Sequence, residues 1–315
     1  MKIRIGTRGS MLALAQCEWV KGRITERHPE LEVELVRIKT KGDKILDAPL
    51  NKIGGKGLFV KEIEEALLSG RVDLAVHSMK DVPAELPDGL VLTAFPERED
   101  PHDVLISVDN VPLEELPQGG LLGTSSLRRG AQVLHLRPDL KIVPLRGNVD
   151  SRLKKLRRGD FHAIVLAAAG MTRLGLKDQI SQVIPTEKIL PAIGQGALGV
   201  EVRRENRDVI EVLSFMDHGP TAVCVRAERA FLKKLEGGCQ VPIAALATLN
   251  GRDLHLEGIV AELDGSRVIR NKIKGTGDRP EEIGVKLAGR MLDAGAGEIL
   301  ARIYERNGAE GDGKA

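Results

Sequence analysis

The sequence predicts an α/β protein of two lobes hinged about a cleft, followed by a small α+β domain. Three observations carry this. Strand patterns alternate with amphipathic helix patterns twice along the first two thirds of the chain, as open sheets covered by helices require. Two Gly/Pro-rich crossings, Pro96-Glu97-Arg98-Glu99-Asp100-Pro101 and Leu190-Pro191-Ala192-Ile193-Gly194-Gln195-Gly196, separate those repeats. The last third instead reads as neighbouring hairpin strands between helices. A chain of 315 residues has room for two or three domains, each with its own core.

Residues 2–6 read as a short strand, and Ser10 can cap a helix running to about residue 27, because a side-chain oxygen satisfies free N–H groups at a helix start. Residues 31–38 alternate as a strand, residues 57–68 space Leu58, Ile63, Ala66 and Leu67 helically, and residues 73–76 form a compact strand. Beyond the first crossing, 104–108, 141–145 and 163–167 read as strands, 126–136 and 149–158 as helices. After the second crossing come a strand over 198–203 and a helix near 207–216. If that strand returns to the first sheet, two crossings join the lobes, which is the arrangement of a hinged cleft. The chain then divides into a discontinuous first lobe (1–98 and 197–216), a second lobe (102–192) and a third domain (219–308). The third domain reads as a helix over 222–235 stopping at Gly237-Gly238, then strands over 243–249, 254–262 and 267–274. Asn250-Gly251 and Asp264-Gly265 supply the hairpin turns. A final helix covers about 280–292, and 308–315 reads as a frayed polar tail.

Charge and composition narrow the function. The formal net charge is only +2, from 47 Lys+Arg against 45 Asp+Glu. Between Gly123 and Gly159, however, ten cations face two acids, so that segment is +8 and the remainder −6. A nucleic-acid binder would use such a segment, but single-strand binders stack bases on aromatic rings, and aromatics make up only 2% of this chain. Three cysteines without a C-x-x-C pair argue against a disulfide framework or a structural zinc site and favour a reducing cytoplasm. The histidines show no H-x-x-x-H spacing, so no metal is expected. The apolar stretch 11–15 is too short for a signal peptide, and no run is long enough to span a membrane; a soluble protein of the cytoplasm is expected, with neither nucleic acid nor membrane as partner.

Several motifs carry chemistry. Gly194-Gln195-Gly196-Ala197-Leu198-Gly199 spells the dinucleotide fingerprint, but a strand pattern follows it where a helix is required, so a hinge or close backbone packing is the better reading. Gly54-Gly55-Lys56-Gly57 lacks the remaining P-loop residues and reads as a flexible loop, with Phe59 just beyond it. Gly123-Thr124-Ser125-Ser126-Leu127-Arg128-Arg129 joins hydroxyls, a helix start and two arginines, which together suit an anion. Arg146-Gly147-Asn148 opens the next helix in the same way, with Arg152 one turn along, whereas Lys154, Lys155, Arg157 and Arg158 read as a solvated face. Two such helix starts after successive strands face one end of the sheet, where ligands of open α/β sheets bind. The strand 73–76 runs into His77-Ser78-Met79-Lys80-Asp81, whose residues project toward the same cleft; Lys80, Arg8 and other cations around Asp81 favour its carboxylate form. Cys239 sits on the Gly237-Gly238 loop, accessible as a nucleophile or attachment point needs to be, while Cys17 and Cys224 fall in helical patterns as small core residues. A pure anion-binding protein of the two-lobed type would use the same arginines without needing Cys239.

Taken together, these motifs resemble the hydroxymethylbilane synthase, or porphobilinogen deaminase, family. The resemblance lies in Gly6-Thr7-Arg8-Gly9-Ser10, Gly54-Gly55-Lys56-Gly57-Leu58-Phe59-Val60-Lys61-Glu62, Ala75-Val76-His77-Ser78-Met79-Lys80-Asp81-Val82-Pro83, Glu97-Arg98-Glu99-Asp100-Pro101, Gly123 to Arg129, Leu145-Arg146-Gly147-Asn148-Val149, Pro191 to Ala197 and Leu235-Glu236-Gly237-Gly238-Cys239-Gln240-Val241-Pro242. It runs almost end to end, in order. It implies two periplasmic-binding-protein-like (type II) lobes and a third domain whose Cys239 holds a dipyrromethane cofactor through a thioether. It implies a transferase that adds four porphobilinogen units to that primer, expelling ammonia each time, and releases hydroxymethylbilane by hydrolysis for tetrapyrrole and haem biosynthesis. By the same resemblance Asp81 is the catalytic acid/base, facing the pyrrole nitrogens where positive charge develops. Lys80, Ser10, Thr124, Ser126, Arg128, Arg129 and Arg146 hold cofactor carboxylates, and Arg8, Ser78, Arg152, Arg173, Gln195, Phe59, Lys52 and Lys56 hold substrate. Arg4 matches a further basic position. The expected mark of this family is a two-pyrrole adduct on Cys239, which intact-mass measurement of the purified protein detects; an unmodified mass in active enzyme would contradict it.

Overall fold

A computed structural model describes residues 1–40, 60–236 and 241–312. The first sheet grows from β1 (Lys2–Thr7), which pairs in parallel with β2 (Glu32–Arg37) on one side and β3 (Leu74–Ser78) on the other. Parallel neighbours need a crossover. One is α1 (Met11–Arg27), whose apolar face buries Cys17, Val20 and Ile24 on the sheet and whose first turn is capped by Ser10, with Oγ accepting from Ala13 N at 3.3 Å. Next come α2 (Lys61–Leu68) and β4 (Leu90–Ala94), an edge strand that the sequence reading passes over.

The second sheet contains β5 (Asp103–Ser107), β6 (Leu121–Gly123), β7 (Lys141–Val143), β8 (Ala163–Ala167) and β9 (Gln182–Ile184). Its helices are α3 (Leu127–Leu136), α4 (Val149–Arg157) and α5 (Ala168–Arg173). The chain then returns: β10 (Leu198–Arg203) runs antiparallel between β3 and β4 in the first sheet. The two sheets therefore share one plan, β2-β1-β3-β10-β4 and β7-β6-β8-β5-β9, in which the antiparallel fourth strand adjoins a crossing between lobes. α6 (Arg207–Leu213) completes the first lobe.

The third domain begins with α7 (Gly219–Lys234), which packs with α8 (Pro280–Asp293) on a meander of β11 (Ile243–Asn250), β12 (Asp253–Ala261) and β13 (Val268–Thr276). Gly251 and Gly265 turn the hairpins with φ of 61° and 72°. The sequence reading ends the helices too early: α9 (Ala296–Asp312) continues after α8, burying Ile299, Leu300 and Ile303, and occupies part of the stretch expected to fray.

One carboxylate ties both crossings to this domain. Glu228 of α7 is fully buried and accepts from Arg98 Nη1 (2.6 Å) and Nη2 (3.2 Å), Gly194 N (2.6 Å) and Ala247 N (2.8 Å). Arg98 also donates from Nε to Gln195 O at 2.8 Å. The glycines of the false nucleotide motif serve close packing: a Cβ on Gly194 (φ 70°) would lie 2.7 Å from Met79 Cβ, and one on Gly196 (φ 88°) 2.2 Å from Glu99 O. Among the described residues no helix is long and apolar enough to cross a membrane. Glu228→Ala leaves the largely covered Arg98, 11% exposed, without its carboxylate and is expected to lower unfolding stability by about 3–5 kcal/mol in urea melts; a loss below about 1 kcal/mol would show that neither crossing depends on this knot.

Candidate active site

β3 ends in a single 3₁₀ turn, Met79–Asp81. Met79 is buried with Val82, Phe95 and Ala197, so the apolar residue anchors the turn while Lys80 is left half-buried and Asp81 exposed. Burial pushes the Lys80 ammonium down to about 8; Asp81 and Asp103 oppose that shift, and Arg129 and Arg128 add to it. Those partners bring the turn of the first lobe and the arginines of the second into one field.

In the second lobe, β6 runs into Thr124-Ser125-Ser126. Ser126 Oγ caps α3, accepting from Arg129 N at 3.4 Å; Thr124 Oγ1 accepts from Ser126 N at 3.2 Å, and Ser125 Oγ donates to Leu145 O at 2.9 Å. Arg128 and Arg129 are buried, and both turn to Asp103 of β5. Its carboxylate accepts from Arg128 Nη1 (2.6 Å), from Arg129 Nε (3.0 Å) and Nη2 (2.7 Å), and from Gln195 Nε2 (2.9 Å). Burial alone would raise this carboxyl, yet the two guanidiniums outweigh it and hold Asp103 well below the usual carboxylate range. Arg129 also donates from Nη1 to Val165 O at 3.0 Å, so each of its nitrogens has a protein partner. Among the described residues Arg128 spends only Nη1, on Asp103 and on Leu190 O at 2.7 Å. The pair is therefore in part a structural ion cluster, with one positive charge in excess.

Arg146, on the loop before α4, is half-buried and its guanidinium has no hydrogen-bond partner among the described residues; burial lowers its pKa. Arg152 donates from Nε to Gly147 O at 2.7 Å and is pushed down to about 10, first by burial, then by Arg129 and Arg146, with Asp81 opposing. Lys154 pairs with Asp150 at 2.8 Å on an exposed face, as a solvated stripe should. Arg8 follows β1, half-buried, and Ser78 closes β3. Two arginines have other duties. Arg4 lies toward the opposite end of β1 and grips Asp73 with Nε and Nη2 at 2.9 and 2.8 Å, and Arg173 donates from Nη2 to Gly196 O at 2.7 Å, bracing the second crossing. Gln195 is buried, with Nε2 also on Pro101 O at 2.7 Å and Oε1 without a partner among the described residues. Cys239, Phe59, Lys52 and Lys56 fall outside the described residues.

The sequence reading does not single out Asp103 or Gln16. An aspartate opening an apolar strand two positions after a proline gives little signal. Gln16 interrupts the apolar face of α1 one turn after Leu12, which approaches Gly170 of the second lobe, and its buried Nε2 has no partner among the described residues.

A family model described as "Porphobilinogen deaminase, dipyromethane cofactor binding domain" matches residues 3–211, and one described as "Porphobilinogen deaminase, C-terminal domain" matches 222–293. The chain belongs to the porphobilinogen deaminase family. Porphobilinogen deaminase of Geobacter metallireducens is 54% identical over 305 residues, covering 97% of this chain and 96% of that one. The Nitratidesulfovibrio vulgaris (strain Miyazaki F) protein of the same name is 57% identical over 308 residues, covering 96% and 97%. Among solved structures, the periplasmic aliphatic sulphonate binding protein SsuA from Escherichia coli is similar with a TM-score of 0.41 and 15% identity, covering 75% of this chain and 70% of that one.

The donors present fit the cofactor of a porphobilinogen deaminase. A primer of pyrrole rings bearing acetate and propionate arms needs several cationic partners, and the cleft offers the unpartnered Arg146, the Nε and Nη2 of Arg128, Lys80 and Arg152. Among the described residues no cluster could hold a metal ion. Because the folded value for Lys80 lies below that of a free lysine, its charged form costs stability below about pH 8, and the cost is relieved as pH rises toward 10.5. In Cys239→Ala protein, from which the attachment cysteine implied by the family resemblance is removed, Lys80 is expected to titrate near 8 by NMR of ¹³C-methylated lysines. In holoprotein the neighbouring carboxylates favour the ammonium and raise that value; an unchanged titration would remove Lys80 from the cofactor site.

Proposed function

We propose that this chain works as a monomeric cytoplasmic hydroxymethylbilane synthase, with Asp81 as its single acid/base and the facing cations as its carboxylate holders. Porphobilinogen is deaminated in the cleft, and four units are added to the primer on Cys239 before hydrolysis releases the linear tetrapyrrole. The bound dipyrromethane supplies the nucleophilic pyrrole end and the carboxylates that register the chain. Lys80, Arg128 and Arg146 grip those arms, with Arg129 holding the wall beside them and Ser10, Thr124 and Ser126 in support; Arg8, Arg152 and Ser78 line the path of the incoming unit, which Gln195 and Arg173 border while they brace the second crossing. Phe59, Lys52 and Lys56 belong to the same reading through family resemblance alone.

The observation that carries the reading is the placement of Asp81: an exposed carboxylate on an anchored turn, in the same field as Arg152 and Lys80. Lys80 and the arginines bind arms and leave Asp81 as the carboxylate available to the reacting nitrogens. A carboxylate there stabilises positive charge on pyrrole nitrogen and passes a proton to the departing amine, so one group serves every addition. The buried thiols Cys17 and Cys224, both pushed up to about 11 by burial, stay protonated and suit a reducing compartment.

Asp81→Asn is nearly isosteric, and it is expected to keep the adduct on Cys239 while lowering turnover by about 10²–10⁴-fold, the usual range for losing a general acid/base. Near-normal ammonia release would reassign the role. Arg146→Leu is expected to impair primer assembly or chain growth, followed by product formation and intact mass; unchanged product formation would place Arg146 outside the site.

A further inference from the structure

The loop that follows Asp81 is seated on the domain to which Cys239 belongs. Arg229 of α7 donates from Nη1 to Val82 O (3.3 Å) and from Nη2 to Pro83 O (2.7 Å) and Ala84 O (3.0 Å). Around it, Met79 and Val82 pack on Val225 with Ala222 alongside, and Lys233 pairs with Glu85 at 3.0 Å. Positions 222, 225, 229 and 233 recur at helical spacing, so one face of α7 receives the whole segment from 79 to 85. Apolar contacts alone would dock the loop. What Arg229 adds is direction, because a planar fork donates to successive carbonyls from two nitrogens held in fixed relation, whereas an ammonium is one freely rotating donor centre on a flexible stem. Its charge is balanced at longer range by Glu201 of β10, which pairs with His77 of β3 at 2.8 Å and whose Oε1 is buried with no partner among the described residues. The strand that leads to Asp81 and the loop that leaves it are thus both held from behind.

We propose that Arg229 is a positioning residue for the reaction: it fixes the Asp81 turn against the domain of the attachment cysteine, so that the carboxylate keeps its place while the tethered chain lengthens. This rests on the reading of Asp81 as acid/base.

The test compares holoenzymes carrying Arg229→Met, Arg229→Lys, Arg270→Met, Asp81→Asn and the Arg229→Met/Asp81→Asn pair. Arg270 of β13 is the control. It donates to Thr186 O (2.9 Å) and Glu187 O (2.6 Å) in the second lobe, a carbonyl clamp of the same kind away from the turn. Arg229→Met is expected to lower kcat by about tenfold to about a hundredfold, as a displacement of about 1 Å at a reacting group does, with KM within about twofold. Arg229→Lys should recover part of that loss, and Arg270→Met should stay within about twofold of wild type. In the Asp81→Asn background Arg229→Met should add little, since both act on one step. Wild-type kcat in Arg229→Met, equal losses in Arg229→Met and Arg270→Met, or additive losses in the double variant would each overturn the proposal. Should Arg229→Met fail to yield folded holoenzyme, full kcat in Arg229→Lys would overturn it as well. Near-normal Asp81→Asn would instead show that the acid/base reading itself is wrong.

Discussion

Two guanidiniums and one amide converge on a single buried carboxylate, Asp103, and much of the molecule is arranged around that convergence. The carboxylate opens β5, directly after the first crossing; Arg128 and Arg129 begin α3; Gln195 lies on the second crossing. One negative charge cannot neutralise two positive ones, and excess charge out of water is costly unless an anion is supplied. Lys80, Arg146 and Arg152 extend the same excess. A wall built this way is stable enough to fold and remains short of negative charge, which is the condition a ligand with many carboxylates meets.

Glu228 plays the converse part in the third domain. It is an anion surrounded by donors from both crossings and from β11, so the crossings that join the lobes also dock on α7. The Asp81 turn leans on the same helix through Met79, Val82 and Arg229. α7 thus meets both crossings and the turn that carries Asp81. For a reaction that repeats on a tethered chain, such a frame keeps the chemistry in one place while the two lobe walls hold a growing set of arms.

The alternation of strands and helices made the two lobes legible in sequence, and Ser10, Ser126 and the Asn-Gly and Asp-Gly turns marked element ends by local chemistry alone. β4 escaped because an edge strand between prolines and polar residues carries little periodicity, and α9 because glycines and charges at 307–312 resemble a tail. In the site, residue types told which groups could bind carboxylates but not which were already engaged. Arg4 with Asp73, Arg173 with Gly196 O and Arg129 with Asp103 are tertiary pairings between residues tens of positions apart, and no spacing rule announces them. Family resemblance supplied the chemistry of Cys239; geometry supplied the division between arginines that build the wall and those still available to a ligand.

In the proposed reaction one carboxylate serves every addition to one tethered chain. Time-resolved intact-mass measurement of the holoprotein after mixing with porphobilinogen tests this most directly. The prediction is a ladder of equal mass increments above the primer-bearing protein, reaching four added units before the mass falls back as product leaves, with the first step abolished in Asp81→Asn. Oligopyrrole appearing in solution without a protein-bound ladder, or an Asp81→Asn ladder that climbs at the wild-type rate, would contradict it.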